Sequence, residues 1–205
     1  ARIELERAIR EAVQNDRFEL HYQPLFEVSQ RRLAGFEALI RMPAADGTLV
    51  PPLAFIPVAE DLRLIDKIGA WVLREACRTA ATWPAHLTVA VNLSPQQFVA
   101  GTISDIVAAA LKEAELAPDR LELEITEGLL LGNTETIMAQ LLTLKTMGVA
   151  IVMDPRTGAI LAMRREGGGK VREGEVIMPI PILVGRNEAK LAELAALDEG
   201  VSYTT

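Results

Sequence analysis

Apolar and polar positions alternate along the chain in two rhythms that trade places several times. Ile3, Ile9 and Val13 mark one face of an opening helix that ends near Asn15-Asp16. Phe18-Glu-Leu-His-Tyr-Gln-Pro-Leu-Phe26 and Arg32-Leu-Ala-Gly-Phe-Glu-Ala-Leu-Ile40 read as two strands joined by a short polar stretch, the pattern of a hairpin. Pro51-Pro52 starts a loop, and Phe55 to Trp83 carries apolar residues three and four apart, which predicts helices. Leu87-Thr-Val-Ala-Val-Asn92 is a short β-branched strand of the kind buried on both faces. The rhythm then repeats: a helix over Ile103 to Leu116, a strand over Leu121 to Thr126, a helix over Thr134 to Met147 stopped by Gly148, and a strand over Val149 to Met153. Strand–helix repetition of this kind points to an α/β barrel or an open parallel sheet. No glycine-rich phosphate loop of the Rossmann or Walker type follows any of these strands, so the barrel is favoured.

Beyond Asp154 the texture changes. Residues 164–175 are polar and glycine-rich, as in a linker or hairpin. Ile177-Met-Pro-Ile-Pro-Ile-Leu-Val-Gly185 has two prolines that suit an edge or extended segment, and Asn187 to Leu197 predicts a final helix. The expected division is a partial barrel over 1–154 and a dissimilar tail over 155–205. Five barrel strands leave open edges and an uncovered apolar face. The tail is therefore expected to add at least one strand, from Ile177–Val184, with the last helix covering the sheet. A homodimer is the expected assembly if those edges stay open.

Composition narrows the function. Half of the 205 residues are hydrophobic and 24% are charged, which excludes a disordered chain. The net charge of −7 excludes broad binding to nucleic-acid polymers or anionic membranes, since no basic field would gather phosphates. A small phosphate ligand held by one or two cations remains compatible with it. The lone Cys77 excludes an internal disulfide and a thiolate metal cluster, and its helical setting reads as a buried small hydrophobe. With no run of 18 apolar residues and no signal-peptide pattern, the expected setting is the cytoplasm. The chain opens at Ala1 inside a helical pattern, so it is expected to be cut from a longer protein.

Four oxygen-bearing side chains fall in or at the ends of successive predicted strands: Glu37, Asn92, Glu124 and Asp154, separated by 55, 32 and 30 residues. The last two spacings each match one strand–helix repeat. In a parallel barrel those strand ends meet on one rim, where active sites form. Three carboxylates and an amide oxygen suit a hard divalent cation such as Mg²⁺ or Mn²⁺. Paired ions of that kind activate water and clamp the oxygens of a phosphodiester displacement. His21 and His86 have no histidine or cysteine partner at metal spacing and read as structural or solvated.

The wording of the motifs adds a resemblance. Phe36-Glu-Ala-Leu-Ile-Arg41 carries Glu-Ala-Leu, and Tyr22-Gln-Pro24, Phe55-Ile-Pro-Val-Ala-Glu60, Val91-Asn-Leu-Ser94 and Glu124-Ile-Thr-Glu127 follow in order. Over residues 1–154 the chain resembles the EAL-domain family, hydrolases of the bacterial messenger cyclic di-GMP. The resemblance implies an α/β fold, an incomplete TIM-type (β/α) barrel with an atypical tail. It implies that Glu37, Asn92, Glu124 and Asp154 are metal ligands for Mg²⁺ or Mn²⁺, with Glu37 and Asp154 catalytic. It implies that Arg41 and Gln23 contact the dinucleotide and that Glu127 holds the loop after the fifth strand. An upstream sensor or cyclase domain is the expected neighbour.

The family pattern follows Asp154 with a second Asp; this chain has Pro155, then Arg156-Thr157-Gly158. Proline cannot ligate through its side chain, and the family's later strands have no counterpart. A (β/α)₈ barrel takes about 250 residues, so the sequence looks truncated or spliced. Three readings stand: an EAL-type phosphodiesterase with impaired hydrolysis, a degenerate module that binds nucleotide or a protein partner, and a spliced chain with no evolved function. Two further likenesses in the tail, to a transpeptidase strand and to a strand–helix stretch of nucleotide-binding oxidoreductases, lack those families' key motifs.

Overall fold

The computed structural model describes residues 2–27, 32–99, 101–125, 134–153 and 177–179. The final helix expected over Asn187 to Leu197 and the polar stretch at 164–175 lie outside them.

The order of elements is α1 (Arg2–Gln14), β1 (Glu19–Glu27), β2 (Arg32–Pro43), β3 (Leu49–Val50), α2 (Pro52–Asp61), α3 (Ile65–Ala80), β4 (Thr88–Asn92), α4 (Gln96–Val99), α5 (Ile103–Ala114), β5 (Leu121–Ile125), α6 (Thr134–Met147), β6 (Ala150–Met153) and β7 (Ile177–Pro179). One sheet runs in the order β6-β5-β4-β2-β1-β7, with β3 added beside β2. β2, β4, β5 and β6 are parallel neighbours, whereas β1 is antiparallel to β2, from Glu19 opposite Arg41 to Glu27 opposite Arg32. The hairpin and the parallel repeats thus stand where the periodicity puts them, and the fold is the mixed α/β of a partial TIM-type barrel. β7 pairs antiparallel with β1 at Leu25–Glu27, inside the tail segment expected to add a strand.

The pleat sends alternate side chains to opposite faces. On one face Phe36, Val89, Val91, Leu121, Leu123 and Ile151 share a single core cluster with Leu73, Ala76, Cys77, Val107 and Leu144 of the helices. Each large side chain buried there stabilises the fold by about 1.5–3 kcal/mol. Cys77 is free and wholly buried, as expected, and burial pushes its thiol pKa up to about 12, so it is unreactive. Glycine is required at position 35: a Cβ there would lie 2.2 Å from the Thr88 carbonyl oxygen, so β2 and β4 can meet closely only without one.

Three local features differ from the sequence reading. The stretch Pro51-Pro52 is a helix start and not a loop: Pro51 is the extended N-cap, and α2 begins at Pro52. Proline's fixed φ suits the first helical turn, where its missing N–H has no partner to lose. The short pair β2–β3, between Met42–Pro43 and Leu49–Val50, had no signal longer than two residues. Arg120, which the sequence reading did not single out, donates through Nη2 to the carbonyls of Ala80 (2.7 Å), Pro84 (3.2 Å) and Trp83 (3.4 Å) and through Nε to that of Leu87 (2.9 Å). Its guanidinium satisfies carbonyls left over at the end of α3 and ties that end to the start of β4. Among the described residues, no helix is long and apolar enough to cross a membrane.

Candidate active site

The opposite face of the sheet is polar. Its first row, set by register, holds Gln23, Glu37, Ala90, Glu122 and Ala150; the next holds Asn92, Glu124 and Val152 on β4, β5 and β6. Period-2 alternation puts both rows on the same side as Glu19, His21 and Arg41. Glu37, Asn92 and Glu124, 55 and 32 residues apart in sequence, therefore share one face of three adjacent parallel strands, with Glu37 midway along β2, Asn92 at the end of β4 and Glu124 one residue before the end of β5.

Asn92 donates from Nδ2 to Glu37 Oε1 at 2.7 Å, a direct contact between two of the four expected ligands. Donation through Nδ2 leaves Oδ1 as the amide's ligand atom. Glu124 stands opposite Asn92 in the ladder, and its carbonyl accepts the Leu93 N–H at 2.9 Å, extending the union of β4 and β5 past the last strand residue. Glu37 and Glu124 are half-buried, and Asn92 is exposed. Asp154 follows β6 directly, and both it and Glu127 lie outside the described residues. Among the described residues, no three His, Cys, Asp or Glu side chains gather closely enough to hold a metal ion. Inside them, the expected set comprises two carboxylates and one amide, all with oxygen donors, and that chemistry fits a hard divalent cation.

Gln23 sits directly opposite Glu37 and Arg41 opposite Glu19. Arg41 donates from Nη1 to its neighbour's carbonyl, Ile40 O, at 2.8 Å. Burial lowers the pKa of its guanidinium from the ordinary value, and the negative charge of Glu37 opposes that shift, so Arg41 lies within electrostatic reach of the expected ligand. The Arg41 cation and the Glu37 carboxylate are therefore electrostatically coupled.

Two residues on this face were missed as site features. His21 is buried, with Nε2 3.6 Å from Glu19 Oε2; burial first, and the Arg41 charge second, lower its pKa, so it is held neutral beside the arginine. Glu122 is only 8% exposed at the middle of β5. The alternation Leu121-Glu-Leu-Glu-Ile125 is the signal that would have placed Glu122 on the same face as Glu124.

The EAL domain profile matches residues 6–157. An uncharacterized signaling protein of Caulobacter vibrioides is 43% identical over 150 residues, which cover 73% of this chain and 18% of that protein. The bifunctional diguanylate cyclase/cyclic di-GMP phosphodiesterase MucR of Pseudomonas aeruginosa is 37% identical over 150 residues, covering 71% of this chain and 22% of that protein. Among solved structures, the PaMucR phosphodiesterase in complex with c-di-GMP superposes with a TM-score of 0.71 at 36% identity, covering 76% of this chain and 65% of that one. The chain spans about a fifth of the length of these curated relatives. With the match extending over most of its length, the chain belongs to the EAL domain family.

Proposed function

We propose that residues 1–154 form the front part of an EAL-type cyclic di-GMP phosphodiesterase site, able to hold a divalent cation and a phosphate but impaired in hydrolysis. The observation that carries this reading is the 2.7 Å contact between Asn92 and Glu37, with Glu124 opposite Asn92 on the next strand. In this reading Glu37, Asn92, Glu124 and Asp154 hold Mg²⁺ or Mn²⁺, which when bound polarises a phosphoryl oxygen and lowers the pKa of water. Arg41 offers its planar fork to a phosphate of the dinucleotide, a geometry that favours bidentate hydrogen bonds. Gln23, beside Glu37, offers an amide to the same ligand. Glu127 steadies the loop after β5. The apolar core beneath β1, β2, β4 and β5 keeps Gln23, Glu37, Arg41, Asn92 and Glu124 at fixed spacing, so binding requires little reordering.

The second reading, a degenerate module that binds nucleotide without turnover, is favoured by one feature: Pro155 in place of a second Asp. In this reading residues 155–205 are a separate tail segment, of which Ile177–Pro179 pair with β1. The setting is cytoplasmic, in keeping with a buried lone cysteine, and an upstream sensor or cyclase domain is the natural partner, of which the cyclase is the activity that the relative MucR pairs with its phosphodiesterase.

Calorimetric titration of the protein with cyclic di-GMP in the presence of Mn²⁺ tests the reading. Saturable binding is expected, weakened roughly 10- to 100-fold by Arg41→Ala, as for the loss of hydrogen bonds to a charged group worth about 1.5–3 kcal/mol. Binding that is absent, or unchanged in Arg41→Ala, would contradict it.

A further inference from the structure

Two motif residues have no part in the site described above: Glu60, in α2, and Ser94, in the turn after β4. The fold brings them together. Ser94 donates its hydroxyl proton to Glu60 Oε1 at 2.5 Å across 34 residues of sequence. The same hydroxyl oxygen accepts the Gln96 N–H at 3.3 Å, and the Ser94 N–H goes to Gln97 Oε1 at 2.8 Å. A hydroxyl has one proton to give, and here it is committed to the carboxylate. Gln97 is buried against α3, where a Cβ on Gly69 would come within 1.9 Å of its Nε2. The Leu93 N–H binds Glu124 O at 2.9 Å, and the Leu93 side chain is buried in the core.

The two residues that follow Asn92, Leu93 and Ser94, are therefore fixed from three directions: by α2 through Glu60, by α3 through Gly69 and Gln97, and by β5 through the Glu124 carbonyl. Asn92 itself is exposed, and its side chain touches Glu37 at the end of a strand. Its placement depends on the turn that begins immediately after it.

We propose that Glu60 is a positioning residue for the cation-binding Asn92, acting through the Ser94 hydroxyl. The inference rests on the cation reading of the site. Groups that orient metal ligands typically change affinity by about 10- to 100-fold when removed. A neutral amide at position 60 keeps the acceptor for Ser94, whereas alanine removes it.

The test uses the whole chain and two readouts: Mn²⁺ affinity, from the free-ion electron paramagnetic resonance signal, and amide hydrogen exchange across residues 92–98. Glu60→Ala is expected to weaken Mn²⁺ binding roughly 10-fold or more and to speed exchange at Leu93 and Ser94, with β2 and β5 exchanging as before. Ser94→Ala, which removes the same hydrogen bond without touching α2, is expected to reproduce both effects. Glu60→Gln is expected to restore both. Unchanged Mn²⁺ affinity in Glu60→Ala and Ser94→Ala, or a Glu60→Gln variant as impaired as Glu60→Ala, overturns the positioning role. Absence of Mn²⁺ binding by the unsubstituted protein overturns the cation reading along with it. Accelerated exchange in Glu60→Ala in that case would locate the failure in the cation reading and not in the Glu60–Ser94 contact.

Discussion

Incubated with cyclic di-GMP and either Mg²⁺ or Mn²⁺, the protein is expected to bind nucleotide and release no linear product above roughly a thousandth of an ordinary enzyme rate of about 10 s⁻¹. Hydrolysis in a paired-ion site needs charge neutralised on both the attacking and the leaving oxygen. Glu37, Asn92 and Glu124 share one face and suit one cation, with Asp154 next in sequence after β6. Pro155 offers no side-chain ligand for a second ion. Chromatography of the reaction, with the PaMucR phosphodiesterase run in parallel, decides the matter. Linear product at ordinary rates, abolished by Glu37→Ala, would establish an active enzyme and overturn the impaired reading.

The second large effect is on stability. Phe36→Ala is expected to cost about 3–5 kcal/mol, the range for aromatic truncation in a packed core. Phe36 is wholly buried in the middle of β2, one residue before Glu37, and its ring lies 4.7 Å from that of Trp83. Trp83 in turn meets Tyr22 edge to face at 5.4 Å, so one truncation opens a gap shared by β1, β2 and the end of α3. A fall of roughly 10 °C in the thermal midpoint is expected for a domain of this size. Differential scanning calorimetry measures it, and a midpoint within about 2 °C of the unsubstituted protein would show that the sheet and the helices do not share one core.

The sequence made the candidate site's strands legible because Glu37, Asn92 and Glu124 each sit on a segment whose pattern reads as a strand. Glu37 lies in the second half of a hairpin signalled by two apolar runs joined by a short polar stretch, and Asn92 ends a strand too short and too apolar to be a helix. What it left illegible depends on contacts between segments. Arg120 is one of many arginines until the fold brings four carbonyls around it. The Glu60–Ser94 contact joins a helix to a turn and follows no local rule. Pro51-Pro52 was misread because proline punctuates loops and opens helices with equal ease, and only the following residues' hydrogen bonds distinguish the two. The alternation in β5 did contain Glu122, but its burial depends on the strands on either side.

The central claim is that Glu37, Asn92 and Glu124 converge as a divalent-cation site. Titration of the protein with Mn²⁺, followed by the electron paramagnetic resonance signal of the free ion, tests it most directly. A saturable site is expected, weakened at least roughly 10-fold by Glu37→Gln and by Asn92→Ala, since each removes or neutralises an oxygen ligand. Mn²⁺ that stays free at all protein concentrations, or binding unchanged in both variants, would contradict it.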